Sequence, residues 1–223
     1  MRTPQRKSGW SAGLLGACLA AAGVLVYAKA GRPRMLRWGA TEREAREELP
    51  GDELLPEFDV EATRAVTVLA PCEFVWPWLM QIGQDRGGFY SYTALENLVG
   101  CEMPTVNQII AEWPARSEGE IVWMAPAYRY AGEAYMVAAR VETDRAFVLH
   151  RPGSLWSFVL EPVGDDACRL IVRTRTGEGA LGGGHVLQRL FWEPAHFVME
   201  RRMMLRVRQL AERRYWAARR SNG

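Results

Sequence analysis

Several things are scarce or missing in this chain of 223 residues, and each closes off a class of function. There are three histidines, His150, His185 and His196, and none has metal-ligand spacing. Glu193 and His196 make a single Glu-x-x-His pair, where a diiron bundle needs two. No metal centre or cofactor is therefore expected. No Gly-x-Ser-x-Gly elbow occurs, which argues against an esterase. The triplet Gly182-Gly183-Gly184 lacks the Lys-Ser/Thr of a phosphate loop and reads as a free turn before the final helix. Charge of one sign is also lacking. Lys+Arg 28 against Asp+Glu 26 leaves a formal +2, so no nucleic acid is expected as a partner. Four cysteines, Cys18, Cys72, Cys101 and Cys168, show no CxxC spacing. Cys18 falls in an apolar N-terminal segment, leaving an odd number elsewhere, which fits reduced thiols in the cytosol better than a disulfide framework.

What is present begins with that segment. From Trp10 to Ala28 no residue is charged, and basic residues flank the run on both sides. At 1.5 Å per residue it reaches about 28 Å, the thickness of a bilayer's hydrocarbon layer. A cleaved signal peptide would use Ala28-Lys29-Ala30, but a lysine in the motif and the length of the run count against it. Leu15-Gly16-Ala17-Cys18 resembles a lipobox, yet the residues after Cys18 stay apolar. The expectation is a single-pass N-terminal transmembrane helix, with membrane contact through residues 10–28 and an anchor region of 1–30. A slight basic excess after the run, with the free thiols, leans towards a cytoplasmic body. Residues 31–57 read as a charged tether with a solvated helical strip, Thr41 to Glu48.

Residues 58–223 form the folded part. Ala62 to Leu69 alternates and reads as a strand; a helix starts after Ala70-Pro71 and is expected to end or kink at Pro77. Short helices are expected at Thr93 to Val99 and Val106 to Glu112. From Ile121 the period becomes two, predicting strands at Ile121 to Met124, Ala134 to Val141, Ala146 to His150, Leu155 to Val163 and Cys168 to Thr176, an antiparallel meander. Trp156, Phe158 and Leu160 share a face with Leu170, Val172 and Thr174 as the dry side, whereas Arg169, Arg173 and Arg175 make the other side wet. An uninterrupted run from Pro194 to about Arg219, with Met199, Met203, Val207 and Leu210 at helical spacing, predicts a long C-terminal helix covering the dry face.

Between these elements lies an aromatic and glycine-rich block, Phe74 to Asn97. The wording Ala70-Pro71, Val75-Trp76-Pro77-Trp78-Leu79, Gln81-Ile82-Gly83, Arg86-Gly87-Gly88-Phe89-Tyr90-Ser91 and Phe197-Val198-Met199-Glu200-Arg201 resembles the bacterial branch of the SRPBCC superfamily. That superfamily includes polyketide cyclases, lipid-transfer START domains and birch-pollen-allergen-like proteins. The resemblance spans about residues 58–212. It implies an α+β, helix-grip START-like fold, a curved antiparallel sheet around a long C-terminal helix, with a cavity between them. It brings no catalytic residue with it.

The candidate ligand contacts are Trp78, Gln81, Tyr90, Tyr92, Trp123, Trp156, Met199 and Met203, and the expected partner is a hydrophobic or amphipathic small molecule. Tyrosines beside glycines offer an apolar face and a polar tip. A cyclase or dehydratase would instead use Tyr90, Tyr92 and Glu96 as acid and base. Asp85 and Arg86 are further candidates for charge there, against a simple ion pair. A protein-interaction or chaperone-like module would leave the interior fully packed. The arginines of the last helix, among them Arg201, Arg202, Arg206, Arg208, Arg213, Arg214, Arg219 and Arg220, with Trp216, could meet anionic lipid headgroups.

Overall fold

A computed structural model describes residues 22–23, 25–177 and 188–221. The chain divides into two compact units, Met1–Leu36 and Arg37–Gly223. In the first, the described part holds a π-turn, Tyr27–Gly31, running into α1, Arg32–Leu36. Gly31-Arg32-Pro33 does not break this path: Arg32 stays helical, its N–H donating to Tyr27 O, and the helix runs on through Pro33 to Leu36. No helix among the described residues is long and apolar enough to cross a membrane. The expected span, 10–28, lies outside the described residues except for 22, 23 and 25–28.

The second unit opens with α2, Glu42–Arg46, closed by a full capping box: Thr41 accepts from the Glu44 N–H, and Glu44 accepts from the Thr41 N–H. Next come a 3-10 turn, Asp52–Leu54, and β1, Val60–Val68. Two helices follow, α3, Cys72–Met80, and α4, Thr93–Leu98. The strands are β2, Ile121–Trp123; β3, Tyr135–Glu142; β4, Ala146–Arg151; β5, Ser154–Pro162; and β6, Cys168–Thr176. A π-turn, Gln188–Trp192, leads into α5, Glu193–Ser221. The sheet order is β1-β6-β5-β4-β3-β2, antiparallel throughout, with α3 and α4 inserted between the two edge strands. This six-stranded sheet with its long C-terminal helix is the helix-grip arrangement.

Two local expectations change. Pro77 lies inside α3, which continues to Met80. Residues 106–112 form no helix, because the Gln81 side chain takes over the backbone there: its Nε2 donates to Gln108 O at 3.2 Å, and its Oε1 accepts from Ile110 N at 2.7 Å.

The largest departure is on the side expected to be wet. From Arg37 onward the presumed tether belongs to the same unit as the sheet and covers its outer face. Leu49 joins Ala65, Val159 and Ile171 in a second apolar cluster. Arg173 is only 1% exposed; it donates to Thr63 Oγ1 at 2.9 Å, to Asp52 Oδ2 at 2.5 Å and to the carbonyls of Glu44 and Glu47. Arg169 grips Glu44 at 2.7 Å. Burial works to raise the Glu44 carboxyl's pKa, but the Arg169 and Thr41 hydrogen bonds outweigh it and hold the value down at about 2. The arginine face needed counter-charges, and the acidic strip supplies them. Gly39 permits the close approach: at φ 73° its carbonyl takes Arg169, and a Cβ there would lie 2.1 Å from Ala65 O.

The thiols also differ from expectation. Cys72 and Cys168 form a disulfide across 96 residues, joining the start of α3 to the start of β6. The reading of these two as reduced thiols is therefore corrected. Cys101 is free.

Candidate functional site

The inner layer changes character along its length. At one end Val66, Leu170 and Leu160 form a cross-strand row, next to the Val68–Cys168–Pro162 row that carries the disulfide. These residues pack with Val75, Trp76 and Leu79 of α3 and with Met204, Val207, Leu210 and Ala211 of α5. Here the helix is tied down, as Leu69 N donates to Glu212 Oε1 at 2.9 Å and Tyr215 donates to Asp166.

The next row, Arg64–Val172–Phe158–Phe147, places a guanidinium on the dry face. Arg64 is 1% exposed and pairs with Glu200 of α5, whose other oxygen accepts the Trp156 indole N–H at 2.9 Å. The row beyond is Ala62–Thr174–Trp156–Leu149. The helix stripe follows the same gradient, from Leu210 and Val207 through Met203 to Glu200, His196 and Glu193. An apolar, stapled end thus grades into an ionic end along one continuous layer.

His196 is the accessible member of the ionic end. Its Nδ1 lies 3.4 Å from Arg64 Nη1 and its Nε2 lies 3.9 Å from Glu200 Oε1. The side chain keeps 45% of its surface, yet its neighbours crowd out much of its solvation. Desolvation lowers its pKa; Glu200 pulls the other way, and the Arg64 charge lowers it again. A guanidinium can only donate, so Nδ1 is the acceptor and the proton sits on Nε2. That leaves a neutral imidazole with one N–H, suited to a hydroxyl or carbonyl on a guest. Trp156 stands beside it, its ring 6.1 Å from His196, 4.9 Å from Phe158 and 5.7 Å from Phe89.

Phe89 arrives through the glycine loop. Gly83 and Gly88 exchange backbone hydrogen bonds at 3.2 and 2.8 Å, and Gly87 N donates to Gln81 O at 2.8 Å. Gly88, at φ 75°, lies so near Pro104 O that a Cβ would come within 2.5 Å. The loop is a tight turn, and its glycines serve close approach.

The other expected contacts divide into three groups. Trp78 and Met203 are packed in the core, and the Trp78 Nε1 is buried without a hydrogen-bond partner among the described residues. Trp78 meets the buried Tyr90 edge-on at 5.9 Å, and Gln81 Nε2 donates to the Tyr90 phenol at 3.4 Å. Burial pushes that phenol up to about 12, against the Gln81 bond, so it stays protonated at neutral pH. Met199 sits at the loop, its carbonyl accepting from Ser91 Oγ at 3.0 Å. Tyr92 is exposed under Arg202, and Trp123 packs on Tyr135 at 5.7 Å. The side chains of Tyr90, Tyr92 and Glu96, the acid-base candidates, make no hydrogen bond to one another among the described residues; only the Glu96 backbone N–H donates to Tyr92 O, at 3.1 Å. Glu96 has a buried, unpartnered Oε2, and desolvation raises its carboxyl to about 7. Asp85 and Arg86 act as braces: Asp85 takes the buried Arg116 at 3.0 Å, and Arg86 reaches Glu120 at 2.9 Å. Among the described residues no cluster of His, Cys, Asp and Glu is suited to hold a metal ion. His185 and Gly182-Gly183-Gly184 lie outside the described residues.

Sequence reasoning passed over Arg64, Glu200 and His196 as a group. A signal was there: Arg64 occupies the same alternating register as Ala62, Val66 and Val68, and Glu200 the same helical stripe as Met203 and Val207.

No family model matches the chain, and no curated protein does. Among solved structures it is similar to a polyketide-cyclase-like protein of Corynebacterium glutamicum, at 12% identity over 68% of this chain and 91% of that one, TM-score 0.36. It is similar also to norcoclaurine synthase of Thalictrum flavum, at 12% identity over 74% and 93%, TM-score 0.36. A third is CalU16 of Micromonospora echinospora, at 17% identity over 70% and 86%, TM-score 0.34. Likenesses at this level carry no residue role across to this chain.

Proposed function

We propose that the body binds an amphipathic small molecule at the ionic end of the sheet–helix layer. Its apolar part would lie against Trp156, Phe89 and Met199, and its polar end would take the His196 Nε2–H. The observation that supports this is the polarity gradient: a dry, stapled end gives way to Arg64, Glu200 and a half-exposed histidine on the same inner surface. A buried pair rarely adds stability over apolar residues of like volume, so one set on the apolar face beside a half-exposed histidine favours a binding role there over packing. Native mass spectrometry of the purified full chain should find a co-purifying compound, lost in His196→Leu with Trp156→Ala. A wild-type protein that stays empty through exposure to a lipid extract rejects the reading.

We also propose that residues 10–28 anchor the chain in a membrane, which resistance to alkaline carbonate extraction tests. The arginines and Trp216 near the end of α5 would meet anionic headgroups. Arg219 already stacks on the Trp216 ring at 5.7 Å, and Trp216 is exposed. On the side of the membrane, basic residues flank the run on both sides and decide little. The Cys72–Cys168 bond supports an oxidising compartment over the cytoplasm, since such bonds persist where thiols are not held reduced. A phosphatase fusion at the C-terminus that is active only outside the cytoplasm is the expected result.

A further inference from the structure

A cleft of about 260 Å³ opens between α5 and the loops around α4. Its walls are Thr93 of α4, Thr105 and Asn107 of the following loop, the Tyr90–Ser91 turn, and Arg202 and Arg206. No carboxylate lines it. Arg206 donates to Asn107 Oδ1 at 2.8 Å and to Gln209, both neutral acceptors. Desolvation depresses its pKa, and the like charges of Arg213 and Arg202 depress it further. Arg202 lies over the Tyr92 ring at 5.6 Å, which fixes its plane while leaving its edge free to donate. Across the cleft the Thr93 and Thr105 hydroxyls lie 3.2 Å apart.

On the same helix, half-buried Arg208 is paired with an acid, Glu212, at 3.1 Å. Two guanidiniums held side by side over hydroxyls and an amide repel one another until an anion joins them. The fork geometry of two arginines matches the oxygens of a phosphate, and threonine hydroxyls complete its coordination. The volume falls below the 300–1,000 Å³ of pockets that enclose a whole drug-sized ligand, so the cleft holds a headgroup and leaves the remainder outside. Thr93 belongs to α4, whose Leu95 and Leu98 are exposed beside it in sequence, apolar surface for that remainder.

We infer that the Arg202–Arg206 cleft is a binding site for a phosphate ester, either a free phosphorylated metabolite or the headgroup of a phospholipid. The inference does not depend on what occupies the inner layer or on the proposed anchor. The test uses the full chain in a maltoside detergent, titrated calorimetrically with glycerol 3-phosphate, and the same chain in nanodiscs of phosphatidylcholine with or without phosphatidylglycerol, read by 31P NMR. Binding should weaken about tenfold or more in Arg202→Gln with Arg206→Gln, since each lost charge-assisted bond is worth around 1.5–3 kcal/mol. Arg145→Gln, an exposed arginine of the β3–β4 turn outside the cleft, should bind as wild type, and Arg206→Lys should retain part of the affinity. Binding of glycerol 3-phosphate identifies a free ligand; a phosphatidylglycerol signal without it identifies the headgroup. If neither probe distinguishes the double variant from wild type, or Arg145→Gln loses as much, the inference is overturned.

Discussion

Replacing Arg64 by methionine tests the buried pair at the centre of the candidate site. Arg64 and Glu200 are each about 1% exposed at their side chains, so Glu200 would be left charged in the dry layer, held by the Trp156 N–H at 2.9 Å without its guanidinium. Removing one partner of such a pair costs about 3–5 kcal/mol, because the remaining charge has lost its compensation and cannot reach water. At about 2–4 °C per kcal/mol for a domain of this size, the melting temperature should fall by roughly 6–20 °C. Glu200→Leu alone should also destabilise the fold, by removing the carboxylate that compensates the buried Arg64 charge. The double replacement, Arg64→Met with Glu200→Leu, should recover most of the loss, since apolar residues of like volume replace buried ion pairs at little or no net cost. Calorimetry and urea titration of the full chain in detergent, with the singles and the double in one cycle, give the coupling directly. Single losses below about 1 kcal/mol, the size seen for exposed pairs, would refute the reasoning and show that water reaches both groups.

Three further outcomes follow from other parts of the fold. Cys72→Ser should destabilise the body by about 2–5 kcal/mol, because the bond closes a long loop in the unfolded chain, and dithiothreitol should lower the wild-type melting temperature but not the variant's. Glu96 has its carboxyl raised from an ordinary 4.5 to about 7, so between these values the folded state holds more proton than the unfolded one, and stability is lost as pH rises through that window. Glu96→Gln should flatten the dependence of the urea midpoint between pH 5 and 8 and exceed wild type at pH 8; an unchanged slope would place the effect elsewhere. Gly39→Ala combines a left-handed backbone with a Cβ clash on Ala65 O and should cost about 1–3 kcal/mol in equilibrium unfolding, whereas Gly119→Ala, which meets no atom within 4 Å, isolates the backbone part.

Much of the fold was legible because it is written in local periods. The strands from Ile121 to Thr176 are short runs rich in β-branched and aromatic residues separated by turn residues, and the α5 stripe repeats at three and four. What was not legible depends on partners distant in sequence. The strip from Thr41 to Glu48 has the composition of a solvated helix, and only the arginines of β6, more than 120 residues later, turn it into the outer cover of a sheet. The disulfide is hidden likewise, since 96 residues separate its cysteines and no motif spacing marks them. Residues 106–112 missed their helix because one side chain, Gln81, offers their backbone better-placed partners.

The candidate site was half legible for a related reason. Large aromatics announce an apolar surface, and Trp156 indeed joins Phe89 and Phe158 there. They do not announce where that surface turns polar, because aromatic residues fill cores and binding sites alike. The turning point is marked by residues that break the pattern: an arginine among the alternating apolar positions of β1 and a glutamate in the methionine stripe of α5. Either alone reads as a snorkelling surface charge. Together they are informative, since strand and helix are packed face to face and opposite charges in the two dry stripes must meet or both be stranded. A guest bound beside them would gain direction more than affinity, for Arg64 and Glu200 pair with each other and His196 offers an N–H. Substituting His196→Phe should therefore preserve the fold and the aromatic contact with Trp156 while losing discrimination between a guest with a terminal hydroxyl and its hydrocarbon analogue. Equal retention of the two by the wild-type protein would show that the ionic end is structural only.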